Sequence, residues 1–380
     1  MHGMAVADRD MRHKTHPVHR INTIRGKHAH DAPCNDSRVS FVHYAKRIIH
    51  PHAPDPLSED EAHDLFCAML DGGVPDLELG AMLVALHLRG ESLPELSGFH
   101  RAVSERQYRL SRPERAIVPL VVPAYGGALD EPNLLPLLGM LLRRLGVPVV
   151  FHGTLDGGGR VASVYILREL GVLPCATLAQ AQAVLDEELV AFVPAAALCP
   201  GLAALLALRS RLGVRNSAHT LAKLIDPFAG AGVLMAGSSQ PAQLDRLGGF
   251  LLACGGRALL LASTQGEPFA NPRRRPRIDY YCEGERMVLF EEEAGPVKPV
   301  PGLPAAIDAH ATAAWIRQAL AGETPIPHPL VNQIACCLYA CGYTEDMNQA
   351  KAIAAVEAGS LGPAGRRRAG AARSVGVVPR

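Results

Sequence analysis

VPVVFHGTLDGGGRVASVYILREL, residues 147–170, runs a short apolar segment into three glycines, Gly157 to Gly159, and then into a segment with helical periodicity. A strand, a glycine turn and a helix in that order are typical of an α/β domain. They also form an anion site, because free backbone N–H groups and the helix dipole both favour negative charge. The stretch by itself leaves two interpretations open, a phosphate loop and a tight turn that uses glycine for its positive φ.

Two common phosphate-binding motifs match this stretch poorly. Gly157, Gly159 and Ala162 fit a loosened dinucleotide pattern, but a longer turn precedes them and no acidic residue follows at the required distance. The P-loop pattern fails because no Lys-Ser or Lys-Thr follows the glycines. Arg160, next to Gly159, can still clamp a phosphate through two parallel hydrogen bonds.

The alternation of strand and helix recurs along the chain after Pro113. It predicts an α/β domain with a mostly parallel central sheet flanked by helices. A charged, β-rich excursion at residues 271–293 predicts a hairpin at the sheet edge, and one helix at each of 309–322 and 329–359 closes the domain. The apolar runs that predict strands are residues 116–127, 146–153, 191–196, 232–237 and 257–263.

A small α-helical unit precedes the α/β domain. Its first helix, at residues 57–73, has Ser58 as N-cap and Glu61 three positions later, which is a capping box. A second helix covers 75–90 and a third begins near Ser92. The predicted divisions are a disordered leader at 1–40, a small helical domain at 41–110 with part of the later helices, an α/β domain at 111–361 and a disordered basic tail at 362–380.

Composition narrows the class of protein. With 48% hydrophobic and 20% charged residues the chain is typical of soluble globular proteins. A net charge of +1 gives no global attraction to nucleic acid, so such a partner requires a local basic patch. No apolar run reaches the ~18 residues that a membrane span requires. Nine cysteines without framework spacing predict a reduced, cytoplasmic protein with no membrane partner.

Histidine and cysteine clusters in the sequence do not predict a metal site. Cys336, Cys337 and Cys341 lie in an apolar helical segment without a fourth ligand in range, which favours buried side chains over zinc. The leader histidines have irregular spacing, which favours adventitious binding at most. They are His2, His13, His16, His19, His28 and His30.

Two basic segments are candidate contacts to a phosphate backbone. In the first, cationic side chains recur every four positions and share one face wherever the chain is helical. Gly213 interrupts this run, and Asn216 can donate from the first turn of the helix that follows. A solvated helix face is the alternative. The candidate nucleic-acid contacts in this segment are Arg209, Arg211, Arg215, Asn216, His219 and Lys223.

The second basic segment, PRRRPR at residues 272–277, contributes Arg273, Arg274 and Arg275. Two prolines stiffen it and it follows a predicted strand, although a plain surface loop is the alternative. Few aromatic residues lie near either segment, so base stacking is limited. Binding would depend on phosphate charge, with little sequence readout and a steep salt dependence.

Four segments together resemble the anthranilate phosphoribosyltransferases, over residues 44 to 360. The resemblance implies a glycosyltransferase family 3 fold, in which a small helical domain joins a larger α/β domain, and a homodimer formed through the helical domain. The segments are residues 58–99, 124–133, 151–172 and 209–228.

The motifs of that family are changed in this chain. The diphosphate loop Gly-Thr-Gly-Gly-Asp-Gly becomes Ala-Tyr-Gly-Gly-Ala-Leu at residues 124–129. The Lys-His-Gly-Asn-Arg signature becomes Phe-His-Gly-Thr-Leu at 151–155, and the serine-rich segment after it becomes the three glycines. The candidate phosphate contacts are Gly126, Gly127, His152, Gly153, Gly158, Gly159 and Arg160.

The acidic pair that holds magnesium in the family is also changed. Glu267 stands alone at this place, and the arginine run follows it. Magnesium bound to phosphoribosyl pyrophosphate needs carboxylates to hold its geometry. We therefore expect no cofactor, with magnesium only if the chain is a transferase.

These changes resemble the anthranilate phosphoribosyltransferase-like DNA-binding proteins, the YbiB group of bacteria, through residues 214–224 and 266–276. The resemblance implies a non-enzymatic homodimer that binds nucleic acid, DNA above all, with little sequence preference. One alternative is an active phosphoribosyltransferase or nucleoside phosphorylase that uses phosphoribosyl pyrophosphate with an unknown acceptor. Another is a ligand-sensing pseudoenzyme.

Overall fold

A seven-stranded sheet forms the centre of the larger domain. Its strands are β1 (Leu120–Ala124), β2 (Val149–Gly153), β3 (Val190–Pro194), β4 (Val233–Ser238), β5 (Ala258–Ala262), β6 (Ile278–Cys282) and β7 (Glu285–Phe290). Their order is β3-β2-β1-β4-β5-β6-β7. The first five are parallel, and β6 and β7 form an antiparallel hairpin at the edge. The five predicted strands, the mostly parallel sheet and the edge hairpin are therefore confirmed.

The structure is a computed structural model. It describes residues 41–49, 56–115, 117–297, 299–300, 302–304 and 306–360. The predictions for the leader at 1–40 and the tail at 362–380 fall outside these residues. Within the part described, no helix is both long and apolar enough to cross a membrane.

Four helices form the small N-terminal domain. They are α1 (Phe41–Ile49), α2 (Glu59–Leu70), α3 (Asp76–Arg89) and α4 (Leu93–Arg106). Ser58 caps α2 through a complete capping box, as the sequence indicates, and Ser92 caps α4 through a second one. Helices α2 and α4 approach closely at Gly98, where a Cβ atom would lie 2.2 Å from the carbonyl oxygen of Glu59.

The remaining helices cover the sheet. They are α5 (Leu135–Arg144), α6 (Ser163–Glu169), α7 (Leu178–Glu188), α8 (Ala195–Leu198), α9 (Pro200–Ala207), α10 (Arg209–Leu212), α11 (Ser217–Leu221), a 3-10 helix (Ala222–Leu224), α12 (Pro241–Cys254), α13 (Ala309–Leu320), α14 (His328–Ala340) and α15 (Met347–Ser360). The prediction of one helix over 329–359 is wrong. The chain leaves α14 at Cys341, Gly342 adopts a left-handed φ of +70°, and Asp346 starts a new helix.

Both faces of the sheet are covered. In β1, Leu120 and Val122 belong to one hydrophobic cluster and Val121 to the other, because successive side chains point to opposite faces. Strands β1 and β2 are buried along their whole length, as parallel strands between two helical layers should be. Cys336, Cys337 and Cys341 are fully buried in the first cluster, which agrees with their predicted packing role.

Candidate functional site

The carboxyl ends of the parallel strands meet at one edge of the sheet, where open α/β sheets usually bind ligands. The loops that leave this edge pack tightly. A Cβ atom at Gly126, after β1, would lie 2.6 Å from the carbonyl carbon of Gly266, after β5. At the end of β2, a Cβ at Gly153 would lie 2.2 Å from the carbonyl oxygen of Ala124. These two glycines are therefore required for close backbone approach.

A polar cavity of about 400 Å³ lies at this edge and is called here the cationic cavity. Helices α11 and α12 and the loops after β2 and β5 contribute to its walls. Five cationic side chains and two carboxylates line it, so positive charge predominates. They are Arg160, Arg209, Arg215, Lys223 and Arg246, with Glu91 and Asp130.

Three arginines converge in the cationic cavity, Arg160 from the loop after β2, Arg209 from the start of α10 and Arg215 from the loop after α10. Arg160 donates from Nη1 to the carbonyl oxygens of Gly127 and Gln265, at 3.2 Å each. A guanidinium nitrogen of Arg215 lies 3.8 Å from the position of a Cβ on Gly266. Burial, and then repulsion from Arg209 and Arg160, lower the pKa of Arg215. These cations are therefore close enough to repel one another.

Within the part of the chain that the structure describes, no carboxylate neutralises these arginines at contact distance. Among the described residues, none places a carboxylate oxygen within 4.0 Å of Arg160, Arg209, Arg215 or Arg246. Glu267 lies near enough to favour the charged form of Arg215, but it is outweighed by burial and by the two other arginines. A cluster of this kind is complementary to an anion with several charges.

Residues of the first predicted basic segment line the cationic cavity, and one of them also caps a helix. Gly213, with φ of +71°, separates α10 from α11 as the sequence indicates. Lys223 and His219 line the cationic cavity, and burial lowers the pKa of Lys223 to about 8 and that of His219 to about 3. Asn216 also lines the cavity, but its amide caps α11 and donates to the carbonyl oxygen of Leu205 at 2.7 Å.

The other predicted arginines do not line the cationic cavity. Arg211 lies 3.4 Å from Asp76, and Arg273 donates to Glu131 at 3.1 Å. Arg274 pairs with Glu292 at 2.8 Å and lines a different cavity beside β6. Arg275 lies over the ring of Phe290, 4.8 Å from its centroid. These four side chains therefore already have partners within the chain.

The glycine stretch after β2 forms a tight turn. Gly158 and Gly159 have φ values of +56° and +82°. The N–H of Gly158 donates to Asp156 at 2.9 Å, and that of Gly157 donates to the hydroxyl of Tyr165 at 3.1 Å. Because these donors are engaged within the loop, the geometry favours the turn interpretation over a phosphate loop at this place.

Comparison with known proteins accounts for this architecture. Residues 43–106 match a glycosyl transferase family, helical bundle domain. YbiB of Escherichia coli strain K12, a protein of uncharacterised function, is 44% identical over 292 residues, which are 77% of this chain and 90% of YbiB. The chain belongs to the YbiB family.

The YbiB-family chain is also similar to known transferases. The anthranilate phosphoribosyltransferase of Methanopyrus kandleri is 28% identical over 285 residues, 73% of this chain and 84% of that enzyme. The crystal structure of anthranilate phosphoribosyltransferase from Thermus thermophilus matches with a TM-score of 0.66 at 26% identity, covering 83% of this chain and 96% of that one. The chain thus has the anthranilate phosphoribosyltransferase fold.

Glu267, in the loop after β5, contacts the loop at residues 124–129 that corresponds to the family's diphosphate loop. Its carboxylate is fully buried, and Oε1 accepts the N–H of Gly127 at 2.7 Å. Burial raises the pKa of Glu267 to about 7, against the lowering effect of the Gly127 and Gly126 N–H groups and of Arg215. The Gly127 N–H, a donor that a diphosphate would need, is therefore already hydrogen-bonded to a carboxylate of the chain itself.

The donor set at this place does not fit magnesium. Magnesium prefers several oxygen ligands in near-octahedral geometry, and its sites in transferases combine carboxylates with substrate phosphates. Here the single carboxylate is buried against backbone N–H groups, and Arg215 and Lys223 lie close by. Cations in these positions favour a bare polyanion over a metal-bound one.

His152 has a structural role in this YbiB-family protein. It is fully buried on β2, and its Nδ1 lies 2.9 Å from the hydroxyl of Tyr125. Burial lowers the pKa of His152 to about 3, so the ring is neutral near pH 7. A neutral, buried imidazole contributes no charge to phosphate binding.

A second cavity, of about 550 Å³, adjoins the cationic one and shares Arg209 and His219 with it. Its other walls are largely apolar and come from α8, α9 and the loop after β2. We call it the apolar cavity. A charged and an apolar compartment side by side can accept a phosphate together with the sugar or base attached to it.

Sequence reasoning missed part of this site. Arg246 lies on α12, and no periodic pattern or motif distinguishes it from a surface arginine. Gln265 lies between β5 and Glu267, and its Oε1 accepts the N–H of Asp130 at 3.0 Å. Its φ of +53° is unusual for a residue with a Cβ, and such strain occurs often at binding sites. Neither feature is visible in the sequence.

Proposed function

We propose that this YbiB-family protein is a non-enzymatic nucleic-acid-binding protein that holds the sugar-phosphate backbone in the cationic cavity, with little sequence preference. The observation that carries the proposal is the convergence of Arg160, Arg209 and Arg215 without a carboxylate partner among the described residues. Phosphates supply the missing negative charge, and guanidinium groups bind them with two parallel hydrogen bonds.

The neighbouring apolar cavity fits the rest of a nucleotide. Its walls include Pro194, Leu206 and Tyr125, and it opens beside Arg209. A base or sugar can pack there while its phosphate contacts the arginines. Because Tyr125 is the single aromatic side chain in this lining, stacking adds little and sequence preference stays weak. Following the resemblance, we expect DNA as the principal ligand.

A homodimer through the helical domain is part of the proposal. Leu77 and Leu88 on α3 are 82% and 80% exposed, and their spacing of eleven residues puts them on one face of the helix. Val42 and Ile49 are exposed on α1, which packs against α3. An exposed apolar surface of this kind is typical of a protein–protein interface.

Transferase activity is the alternative function. The 28% identity to an anthranilate phosphoribosyltransferase over most of the chain favours it. Two observations argue against it. The Gly127 N–H already donates to Glu267, and the side chains around Glu267 do not fit a magnesium ion. Pyrophosphate release from phosphoribosyl pyrophosphate with magnesium and anthranilate distinguishes the two. We expect none above the background without protein, and turnover would make the transferase the better account.

Arginine footprinting tests where nucleic acid binds. The protein is treated with an arginine-selective dicarbonyl reagent, with and without a single strand of roughly 30 nucleotides, longer than common single-strand site sizes. Modification is then mapped by mass spectrometry. We expect DNA to protect Arg209 and Arg160, which line the cationic cavity. Arg211 is the matched control, since it lies two positions from Arg209 but outside the cavity and should react equally in both samples. Protection of Arg211 or of Arg274 without protection of Arg209 would place the binding surface elsewhere.

A further inference from the structure

A cluster of three potential metal ligands lies in the helical domain, apart from the cationic cavity. His63 and Cys67 are four residues apart on α2, so both side chains lie on one face of that helix. Glu105, near the end of α4, faces them. One ligand atom of each residue lies within 4.8 Å of the ligand atoms of the other two.

Two of the three distances between the ligand atoms are close to those of a tetrahedral zinc ion. Zinc–sulfur and zinc–nitrogen bonds at tetrahedral angles place a thiolate sulfur and an imidazole nitrogen about 3.6 Å apart, and a nitrogen and a carboxylate oxygen about 3.3 Å apart. Here Cys67 Sγ and His63 Nε2 are 3.5 Å apart, and His63 Nε2 and Glu105 Oε2 are 2.9 Å apart. A change of a few tenths of an ångström in the Glu105 side chain therefore brings both of these pairs to tetrahedral distances, and the Cys67–Glu105 pair lies within 4.8 Å.

The second nitrogen of the imidazole is already oriented by a carboxylate. His63 Nδ1 lies 3.0 Å from Asp64 Oδ1. A carboxylate on the far nitrogen fixes the tautomer that leaves Nε2 free to ligate, and it is a frequent outer partner of zinc-bound histidine. Arg106 lies 3.5 Å from Glu105 Oε2, but its closer partner is Asp71 at 2.7 Å.

We propose that His63 Nε2, Cys67 Sγ and Glu105 Oε2 bind a divalent transition metal of the zinc type. Thiolate and imidazole ligands select zinc over magnesium or calcium, and water completes four-coordination. Cys67 is buried whereas Glu105 is exposed, so the ion enters from the α4 side and the thiol proton leaves to solvent. The ion joins α2 to α4 and stabilises the helical domain. The site is independent of nucleic-acid binding.

Cobalt substitution tests the site on the full-length protein. Cobalt(II) bound by a thiolate gives a charge-transfer band that histidine and carboxylate ligands alone do not give. We expect this band at one equivalent of cobalt, its loss in Cys67→Ser and Cys67→Ala, and its displacement by zinc. Cys34→Ser is the matched control, since Cys34 lies in the histidine-rich leader and its substitution should leave the band intact. A band that persists without Cys67, or no band at one equivalent, would overturn the proposal.

Affinity and stability provide a second readout. Glu105→Gln changes an exposed side chain, so the variant should fold while losing the charged ligand. Asp64→Asn should weaken zinc binding roughly 10- to 100-fold, as changes to outer partners usually do. Zinc should raise the thermal midpoint of the wild type and leave that of Cys67→Ala unchanged. An equal zinc-induced shift in both proteins would assign the effect to another site.

Discussion

Replacing Arg160, Arg209 and Arg215 together by alanine is expected to weaken binding of single-stranded DNA roughly 100- to 1,000-fold at low salt. Each charge-assisted hydrogen bond to a phosphate contributes about 1.5 kcal/mol, and about 1.4 kcal/mol corresponds to a factor of ten in affinity. Arg209 and Arg160 repel Arg215 in the free protein, which favours folding of the variant, whereas the loss of the Arg160 hydrogen bonds to Gly127 and Gln265 opposes it. Fluorescence anisotropy of a labelled strand gives the affinities, and the thermal midpoint checks the fold.

The matched control removes the same charge from another surface. Arg273, Arg274 and Arg275 are also three arginines, but two pair with Glu131 and Glu292 and the third lies over Phe290. Their replacement by alanine changes the net charge equally and should reduce affinity by less than about fivefold, the small long-range effect of net charge. If this control lost more affinity than the cavity variant, the basic run would be the binding surface.

Replacing Glu267 by alanine is expected to lower the free energy of unfolding by about 3 kcal/mol. The change leaves the buried N–H of Gly127 without an acceptor, which by itself costs about 1–3 kcal/mol, and it removes buried side-chain atoms from a tightly packed loop. Glu267→Gln keeps an acceptor at the same place and should remain within about 1 kcal/mol of the wild type near pH 5, where the buried carboxyl is still protonated. Urea unfolding measures both variants. A loss below about 1 kcal/mol for Glu267→Ala would show that the carboxylate does not hold the loop.

The pH dependence of these variants has a defined sign. The pKa of Glu267 is about 7 in the folded protein and 4.5 as its ordinary value, so the folded state binds more protons between these pH values. The stability that this group contributes is present below pH 4.5 and is lost as pH rises through 7. Glu267→Gln lacks this loss and should gain stability relative to the wild type between about pH 5 and 8, by up to about 3 kcal/mol. A constant difference between the two proteins would contradict the raised pKa.

The parts of the fold that depend on local patterns could be predicted from the sequence. The capping box at Ser58 places the start of α2 correctly, because capping involves residues three positions apart, and the helix predicted to begin near Ser92 does start there. The buried strands could also be predicted, because each one appears in the sequence as a short apolar run. The break between α14 and α15 was missed, although Gly342 is the kind of residue that ends a helix, because apolar helical patterns flank it on both sides.

The candidate site was harder to predict because its members come from distant parts of the chain. Arg215 and Lys223 were found through their spacing, and both line the cationic cavity. Arg273 and Arg274 looked equally suitable, but their carboxylate partners lie 142 and 18 positions away in the sequence. Pairing over such distances decides which arginines remain available, and only the folded chain shows it.

The salt dependence of binding tests the central claim most directly. Wild-type protein is titrated into a labelled single strand over a series of salt concentrations. Five cationic side chains line the cationic cavity, and each phosphate neutralised on a single strand contributes about 0.7 to the log–log slope. We predict tight binding at low salt with a slope of about −3 or steeper. No binding at low salt, or binding that salt does not weaken, would contradict the assignment of the cavity to the phosphate backbone.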